Sequence, residues 1–314
     1  MKNMAITGIS GYIGTRLLRH LDSVESVQKI IGIDVKQPRF QSTKLRFHCH
    51  DIRKSFGDLF AENEIDTAVH LAFILSSTHN RALARQINID GMKNFIGACQ
   101  EANVKYILYL SSHTIYGAHH DNSIPLNEDS PLRPIHDFQY SWDKAQAEQI
   151  LRDFSTNTQD TTITILRSCP VIGPNAANST PTLMFKPRVM IGVAGFDPQL
   201  QFVHEDDLIR LIQIFLSKEK GGIFNVAGDG ELIYSEVAKL LRKRMLRLPK
   251  RLLELLMSIS WAIHLQNDSP ASGLKFIQYP PVVSTEKLKK DLGFVFQYSA
   301  KDTLLSLKSS VKTQ

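Results

Sequence analysis

The chain has 314 residues, 43% of them hydrophobic and 22% charged, which is ordinary globular usage and excludes a long disordered or low-complexity block. Its three cysteines, Cys49, Cys99 and Cys169, are odd in number and widely spaced, which argues against a disulfide framework and for a reducing, cytoplasmic setting. The formal net charge of +6 comes with no nucleic-acid-binding module. No apolar run reaches the roughly 20 residues of a membrane span, so neither a nucleic-acid partner nor an integral membrane segment is expected.

The chain starts without a signal-peptide pattern, because Lys2 to Ile6 runs straight into a glycine turn. Met4-Ala5-Ile6, the turn Thr7-Gly8-Ile9-Ser10-Gly11-Tyr12-Ile13-Gly14, a helix from Tyr12 to Leu21 and a strand from Lys29 to Ile33 make one strand-helix-strand crossover unit. Glycines at 8, 11 and 14 allow a tight turn, close approach of backbone N–H groups to a pyrophosphate, and close packing of the helix on the sheet. Asp34 ends the second strand, where its carboxylate can accept hydrogen bonds from the adenosine ribose hydroxyls and repel a 2′-phosphate. NAD is therefore expected over NADP, although Lys36 lies nearby.

Asp66 to Ala72 reads as a buried strand, Leu83 to Ala102 as a long helix and Tyr106 to Ser111 as another strand. Their nearly continuous apolar runs suit parallel strands covered on both faces. Phe138 to Phe154 is helical by periodicity, and Thr161 to Leu166 is a β-branched strand. Glycines and prolines from Pro170 to Pro198 mark irregular connections. An acidic helix start at Glu205-Asp206-Asp207 suits the positive end of the helix dipole, and Gly222 to Val226 forms a further strand. Helices are expected over Ser235 to Arg244, Pro249 to His264, Thr285 to Leu292 and Ala300 to Val311.

The expected fold is α/β, a Rossmann-type doubly wound parallel sheet with a smaller, mostly helical substrate-binding lobe. Residues 1–169 form the NAD-binding domain, to which 200–230 return; 170–199 and 231–314 form the lobe.

Tyr140 and Lys144 stand four apart on one helix face. A cation beside the phenol lowers its pKa from about 10, so that Tyr140 can take or return a hydroxyl proton as hydride moves. Ser112 ends a parallel strand at the edge where open α/β sheets bind ligands, and can hydrogen-bond the reacting oxygen. Either motif alone arises often by chance; together they predict hydride chemistry on an alcohol or ketone. His48 and His50 share a strand face and His119-His120-Asp121 lie in a loop, but their spacing matches no closed zinc site and no metal is expected.

The Gly-x-x-Gly-x-x-Gly spacing resembles the short-chain dehydrogenase/reductase superfamily, and further motifs resemble its extended branch, the NAD-dependent epimerase/dehydratase family. Asp51-Ile52 is similar to the adenine-contacting pair, His70-Leu71-Ala72 to the cofactor-lining motif, and Asn88 to the helix asparagine. Ser111 to Gly117, Arg167 to Pro174, Phe202 to Asp207 and Phe224-Asn225-Val226 also have counterparts. The resemblance covers residues 2–240 well and 245–280 poorly.

It implies catalytic roles for Ser112, Tyr140 and Lys144, with Asn88 supporting the helix and relaying protons. It implies that Gly8, Gly11, Tyr12, Ile13 and Gly14 hold the cofactor's phosphates and Asp34, Asp51 and Ile52 its adenosine half. Leu71, Ala72, Phe73, Cys169 and Pro170 would contact the cofactor beside Tyr140 and Lys144. Substrate contacts would come from Phe73, His113 and Thr114. A homodimer built by Leu83 to Ala102 and Phe138 to Phe154 is also implied.

The chain departs from the family pattern on the substrate side. His113-Thr114 stand where the sugar dehydratases carry an Asp-Glu pair. Pro170 replaces a substrate-side asparagine, Leu200 an arginine, and Gly273-Leu274-Lys275-Phe276-Ile277 a second phosphate-binding segment. Lys186, Arg188 and Lys275 are the cations that could compensate. The apolar residues Leu183, Met184, Phe185, Val189, Met190, Ile191 and Phe196, with Leu252, Leu253, Leu255, Leu256, Met257, Ile259 and Trp261, are expected mostly to pack in the core, a few lining an apolar pocket. The leucine-rich helix resembles branches acting on sterol-like or isoprenoid substrates. Arg242, Lys243, Arg244, Arg247, Lys250 and Arg251 read as a solvated helix face, with peripheral contact to an anionic surface as the alternative.

Three functions follow. The first is an NAD-dependent oxidoreductase or isomerase acting on a secondary hydroxyl of a small-molecule substrate, a sugar or nucleotide sugar. The second is an NAD-dependent hydroxyl dehydrogenase for a hydrophobic sterol-like or isoprenoid substrate. The third is a non-catalytic NAD-sensing regulator, which the presence of both Tyr140 and Lys144 disfavours.

Overall fold

The computed structural model describes residues 1–75, 78–176, 185, 187–266 and 269–307. Seven strands form one sheet: β1 (Lys2–Thr7), β2 (Val27–Asp34), β3 (Leu45–Cys49), β4 (Thr67–His70), β5 (Tyr106–Ser112), β6 (Thr162–Ser168) and β11 (Gly222–Val226). Every pairing is parallel, in the order β11-β6-β5-β4-β1-β2-β3. The chain winds outward one way through β2 and β3 and the other way from β4 onward. The switch lies between β1 and β4, whose carboxyl ends therefore bound a crevice.

The continuous apolar strands place Met4, Ala5, Ile6, Ile30, Ile31, Val69 and Leu108 out of contact with water. Helices cover both faces of the sheet. On one face α1 (Tyr12–Asp22) and the helix Glu205–Lys218 pack on Ile6, Leu108 and Phe224. On the other lie α2 (Gly57–Glu62), α4 (Gly91–Glu101) and α5 (Gln139–Asn157), packed around Phe60, Phe95, Ile107 and Leu151. The short helix α3 (Arg81–Arg85) runs into α4 through a π-helical turn, Gln86–Asp90, which contains Asn88.

Among the described residues three two-stranded sheets stand outside the seven-stranded one. β7 (Val171–Ile172) pairs parallel with β10 (Val203–His204), and β9 (Gln199–Leu200) antiparallel with β12 (Leu232–Ile233). β8 (Val189–Val193) pairs parallel with β13 (Arg244–Leu248). The described parts of Pro170 to Pro198 are thus less irregular than expected.

The helix expected over Ser235 to Arg244 ends at Leu240. Arg242 takes a positive φ of 55° that no α-helix can continue, and Arg244 opens β13 instead. The basic residues from Arg242 to Arg251 therefore span a turn, a strand and the start of a second helix, Lys250–Ala262, not one helix face. The expected core role of that helix is also overturned: Leu252, Leu255, Leu256 and Ile259 are exposed. Leu183, Met184, Lys186 and the segment from Lys308 onward lie outside the described residues. All three cysteines are free thiols, Cys49 exposed, Cys99 and Cys169 buried.

Candidate active site

The glycine turn closes over the carboxyl end of β1. Gly8 has φ 73°, and a Cβ there would lie 2.6 Å from the Ala72 backbone nitrogen. A Cβ at Gly14 would lie 2.2 Å from the Gly8 carbonyl oxygen, so the first turn of α1 can approach the loop only without a side chain. The Asp34 carboxylate accepts from the backbone N–H groups of Ser10 (3.1 Å) and Lys36 (3.0 Å), one on each oxygen. One acceptor position per oxygen remains for a ribose diol. The shape and the donor set of this crevice fit a dinucleotide.

Other residues of the expected cofactor set are placed less directly. The Tyr12 hydroxyl donates to Glu205, and burial together with that carboxylate pushes its pKa far up. Ile13 packs on the core. Asp51 is gripped by Arg53, with Nε at 2.9 and 3.0 Å, and that contact holds its carboxyl below the usual range. The Ile52 side chain is buried where a Cβ on Gly91 would touch it, and its carbonyl accepts from Asn94 at 2.8 Å. Leu71 donates its N–H to the Thr7 carbonyl at 3.1 Å. Cys169 is buried, its thiol pushed up by burial, and Pro170 accepts from Val203 at 3.1 Å.

Ser112, Tyr140 and Lys144 come together beyond β5. Ser112 ends the strand and accepts from the Thr114 N–H (3.2 Å) and hydroxyl (3.0 Å). It also hydrogen-bonds the Tyr140 phenol, which favours the phenolate, but burial outweighs this and pushes the phenol up to about 12. The expected lowering of the Tyr140 pKa by Lys144 is therefore not what the structure shows. The Lys144 ammonium donates instead to the Leu110 carbonyl at 2.7 Å and lies 3.8 Å from the centre of the Phe73 ring. Burial brings Lys144 down to about 7, against an opposing pull from Glu148. Phe73 meets Tyr140 edge-on at 5.9 Å.

Asn88 bridges two segments of the chain. Its amide oxygen accepts from the Ile74 N–H at 2.8 Å and its amide nitrogen donates to Asp143 at 3.1 Å. The π-helical turn aims this side chain across to the segment after β4 and to α5 together. His113 is buried with Nδ1 unpartnered, and burial lowers its pKa to about 4. The Thr114 carbonyl accepts from Ser141 at 2.7 Å. His70, buried with Nε2 unpartnered, is lowered to about 3 by burial and by Lys144, and its Nδ1 lies 2.8 Å from the Thr7 hydroxyl.

Sequence reasoning missed Glu148 and the pairing of Arg167 with it. Both are fully buried, Arg167 Nη2 lies 2.7 Å from Glu148, and Ser111 donates to the same carboxylate at 2.9 Å. Arg167 also reaches the Tyr116 hydroxyl (2.7 Å) and the Glu128 carbonyl (2.9 Å). This network clamps α5 to β5 and β6 and so sets the height of Tyr140 and Lys144. The signal was there in spacing: Tyr140, Lys144 and Glu148 recur every four residues along one helix face. Glu205, read from the sequence only as part of an acidic helix start, accepts from Asn175 N at 3.2 Å as well as from Tyr12.

A model of the NAD dependent epimerase/dehydratase family matches residues 4–227. The chain belongs to this family. Members are NAD-dependent enzymes, and solved relatives are described with NAD bound. An uncharacterized protein of Mycobacterium tuberculosis, Rv0501, is 24% identical over 301 residues, covering 93% of this chain and 80% of its own. The N-acetyl-alpha-D-glucosaminyl-diphospho-ditrans,octacis-undecaprenol 4-epimerase of Escherichia coli O157:H7 is 23% identical over 262 residues, 77% of this chain and 73% of that one. The fold matches UDP-glucose 4-epimerase from Thermotoga maritima, solved with UDP-glucose, at a TM-score of 0.78 and 19% identity over 99% of this chain and 98% of that one.

Proposed function

We propose that this family member moves a hydride between NAD and a carbon bearing a secondary hydroxyl, with Tyr140 carrying the proton. The observation that supports this most is the convergence of Ser112, Tyr140 and Lys144 at the carboxyl edge of β5, beside the glycine turn of β1. The Gly8, Gly11 and Gly14 backbone would hold the pyrophosphate, Asp34 the adenosine ribose, and Leu71 to Phe73, Cys169 and Pro170 the nicotinamide end. Bound there, the oxidised nicotinamide would supply a hydride acceptor and a positive charge that stabilises the phenolate.

The residues do the rest. Ser112 hydrogen-bonds the substrate oxygen and holds it against the phenol. Tyr140 accepts the hydroxyl proton at its phenolic oxygen and gives it back when the ketone is reduced. Lys144, brought to about 7 by burial and donating to the Leu110 carbonyl, would add positive charge to this site when protonated. Asn88 and Asp143 fix the Phe73 segment against α5, so that the ring and the phenol keep their edge contact.

We take the hydroxyl to be that of a sugar, as in the E. coli relative and the T. maritima enzyme, with 170–199 and 231–314 as the substrate side. A second reading, a hydrophobic alcohol, draws on the aromatic rim of the cleft. Phe138 meets Phe276 at 4.8 Å and Tyr140 at 6.4 Å, and Phe196 meets Tyr279 at 5.3 Å.

The test is native mass spectrometry for bound NAD, followed by turnover assays with nucleotide sugars, polyprenyl-linked sugars and sterol alcohols. Retained NAD and epimerised sugar support the first reading, and net NADH from an apolar alcohol the second. Tyr140→Phe should keep NAD and lose turnover. Absence of NAD binding, or a variant as active as wild type, overturns the proposal.

A further inference from the structure

The helix Lys250–Ala262 inverts the usual surface pattern. Leu253 is its one buried residue, and it packs with Met257 against Val193, Leu248 and Leu274. Turned outward beside it, Leu255 is 57% exposed, Leu256 48%, Ile259 50% and the capping Ile263 65%. With Leu252 they recur at spacings of three and four, one continuous apolar stripe facing outward. The neighbouring ribbon extends it: Leu246 pairs in register with Ile191, both exposed on the face that Leu248 and Val193 share. Single exposed leucines are ordinary on soluble proteins, whereas a contiguous patch of this kind marks an interaction surface.

The rim of the patch is basic. Arg242, Arg244 and Arg251 are exposed and have no carboxylate within ion-pair distance among the described residues. Lys250 lies 3.7 Å from Glu254, the one acidic residue of the helix, and Arg247 pairs with Asp197 at 2.9 Å.

We propose that this face docks on an anionic lipid bilayer, the leucine stripe entering the acyl boundary and the unpaired guanidinium groups meeting headgroup phosphates. No helix among the described residues is long and apolar enough to cross a membrane. At 1.5 Å per residue this one spans about 20 Å, so it lies along the surface. A second copy of the chain is a poorer occupant. A two-fold contact through this patch would set Arg244 and Arg251 against the same basic rim. The docked helix also reaches toward the site, through its other face. Trp261 stacks on His79 at 4.0 Å, six residues after the Phe73 that touches Lys144 and Tyr140. A bilayer-borne substrate would then meet the cleft at its aromatic rim. This last clause rests on the proposed hydride chemistry; the docking itself does not.

Co-sedimentation with vesicles decides the matter, using phosphatidylcholine alone and equal parts phosphatidylcholine and phosphatidylglycerol. The full chain should bind the anionic vesicles at least tenfold better, with high salt weakening the contact. The double variant Leu255→Glu, Ile259→Glu should lose at least tenfold in binding with an unchanged melting temperature, since both side chains are exposed. Arg244→Gln and Arg251→Gln should each cost about fivefold. Tyr140→Phe should bind vesicles like wild type, which separates failure of docking from failure of the chemistry. The inference is overturned if neither vesicle binds the protein, or if the double Glu variant binds as wild type does. It is equally overturned if sedimentation velocity shows self-association that this variant abolishes, with no lipid binding.

Discussion

Helix α5 and the helix Lys250–Ala262 break the amphipathic rule in opposite directions. The first draws Asp143, Lys144 and Glu148 into the interior, while the second turns its leucines outward. In α5 each buried charge has a partner: Asp143 takes Asn88 and Arg85, Lys144 the Leu110 carbonyl, Glu148 the Arg167 guanidinium and the Ser111 hydroxyl. Burial without those partners would cost several kcal/mol per ion. The outward leucines leave no polar group unsatisfied, so that helix can fold without its missing neighbour. The difference teaches that inverted polarity is tolerated in two ways, by internal partners for each buried charge and by exposure of side chains that need none. As proposed above, the two helices have a reacting hydroxyl and an apolar environment to meet.

Substitutions along the two helices sharpen the contrast. The largest effect is expected at Tyr140: the change to Phe should lower turnover by about 10²- to 10⁴-fold, the range of general acid–base contributions, with folding intact by circular dichroism. Glu148→Gln leaves Arg167 buried without its counter-charge and should destabilise by about 3–5 kcal/mol in urea unfolding. A value near zero would show that the pair does not hold α5. On the other helix, Leu253→Ala should cost about 2–4 kcal/mol and Leu256→Ser less than about 0.5 kcal/mol. Equal costs would mean that both faces are packed.

The last contrast concerns pH. Lys144 falls from an ordinary 10.5 to about 7 on folding, so between those values the unfolded chain holds more protons than the folded one, and stability rises with pH. The cost of the buried ammonium is in full force below about pH 7. Lys144→Met should therefore show a flatter dependence of melting temperature on pH from 7 toward 10. Parallel curves for variant and wild type would remove Lys144 from the account.

Much of this was legible because it is local. The glycine turn, Asp34 at the end of β2, and Tyr140 with Lys144 each fit within one element or one turn, and the parallel strands announced themselves as unbroken apolar runs. Contacts between distant segments were not legible: Tyr12 with Glu205, Arg167 with Glu148, Asn88 with the Ile74 N–H. Lys144 drew the simplest inference, a cation lowering a phenol, yet the ammonium turned to a carbonyl and an aromatic face, and burial decided the Tyr140 pKa. The segment from Ser235 to Leu248 failed for another reason. Its polar and apolar residues suit a helix and a strand alike, and the positive φ at Arg242 separates the two.

The chain contains two tryptophans, and each of these two helices carries one. Trp142 lies two residues from Tyr140 and meets the His136 ring at 4.8 Å, while Trp261 stacks on His79. The molecule thus comes with a native emitter for each end of its proposed chemistry. With Trp142→Phe the remaining tryptophan emission reports only the leucine helix, and with Trp261→Phe only the helix of Tyr140 and Lys144. A cofactor titration and a vesicle titration, read through the two single-emitter proteins, would show whether the halves respond separately or as one.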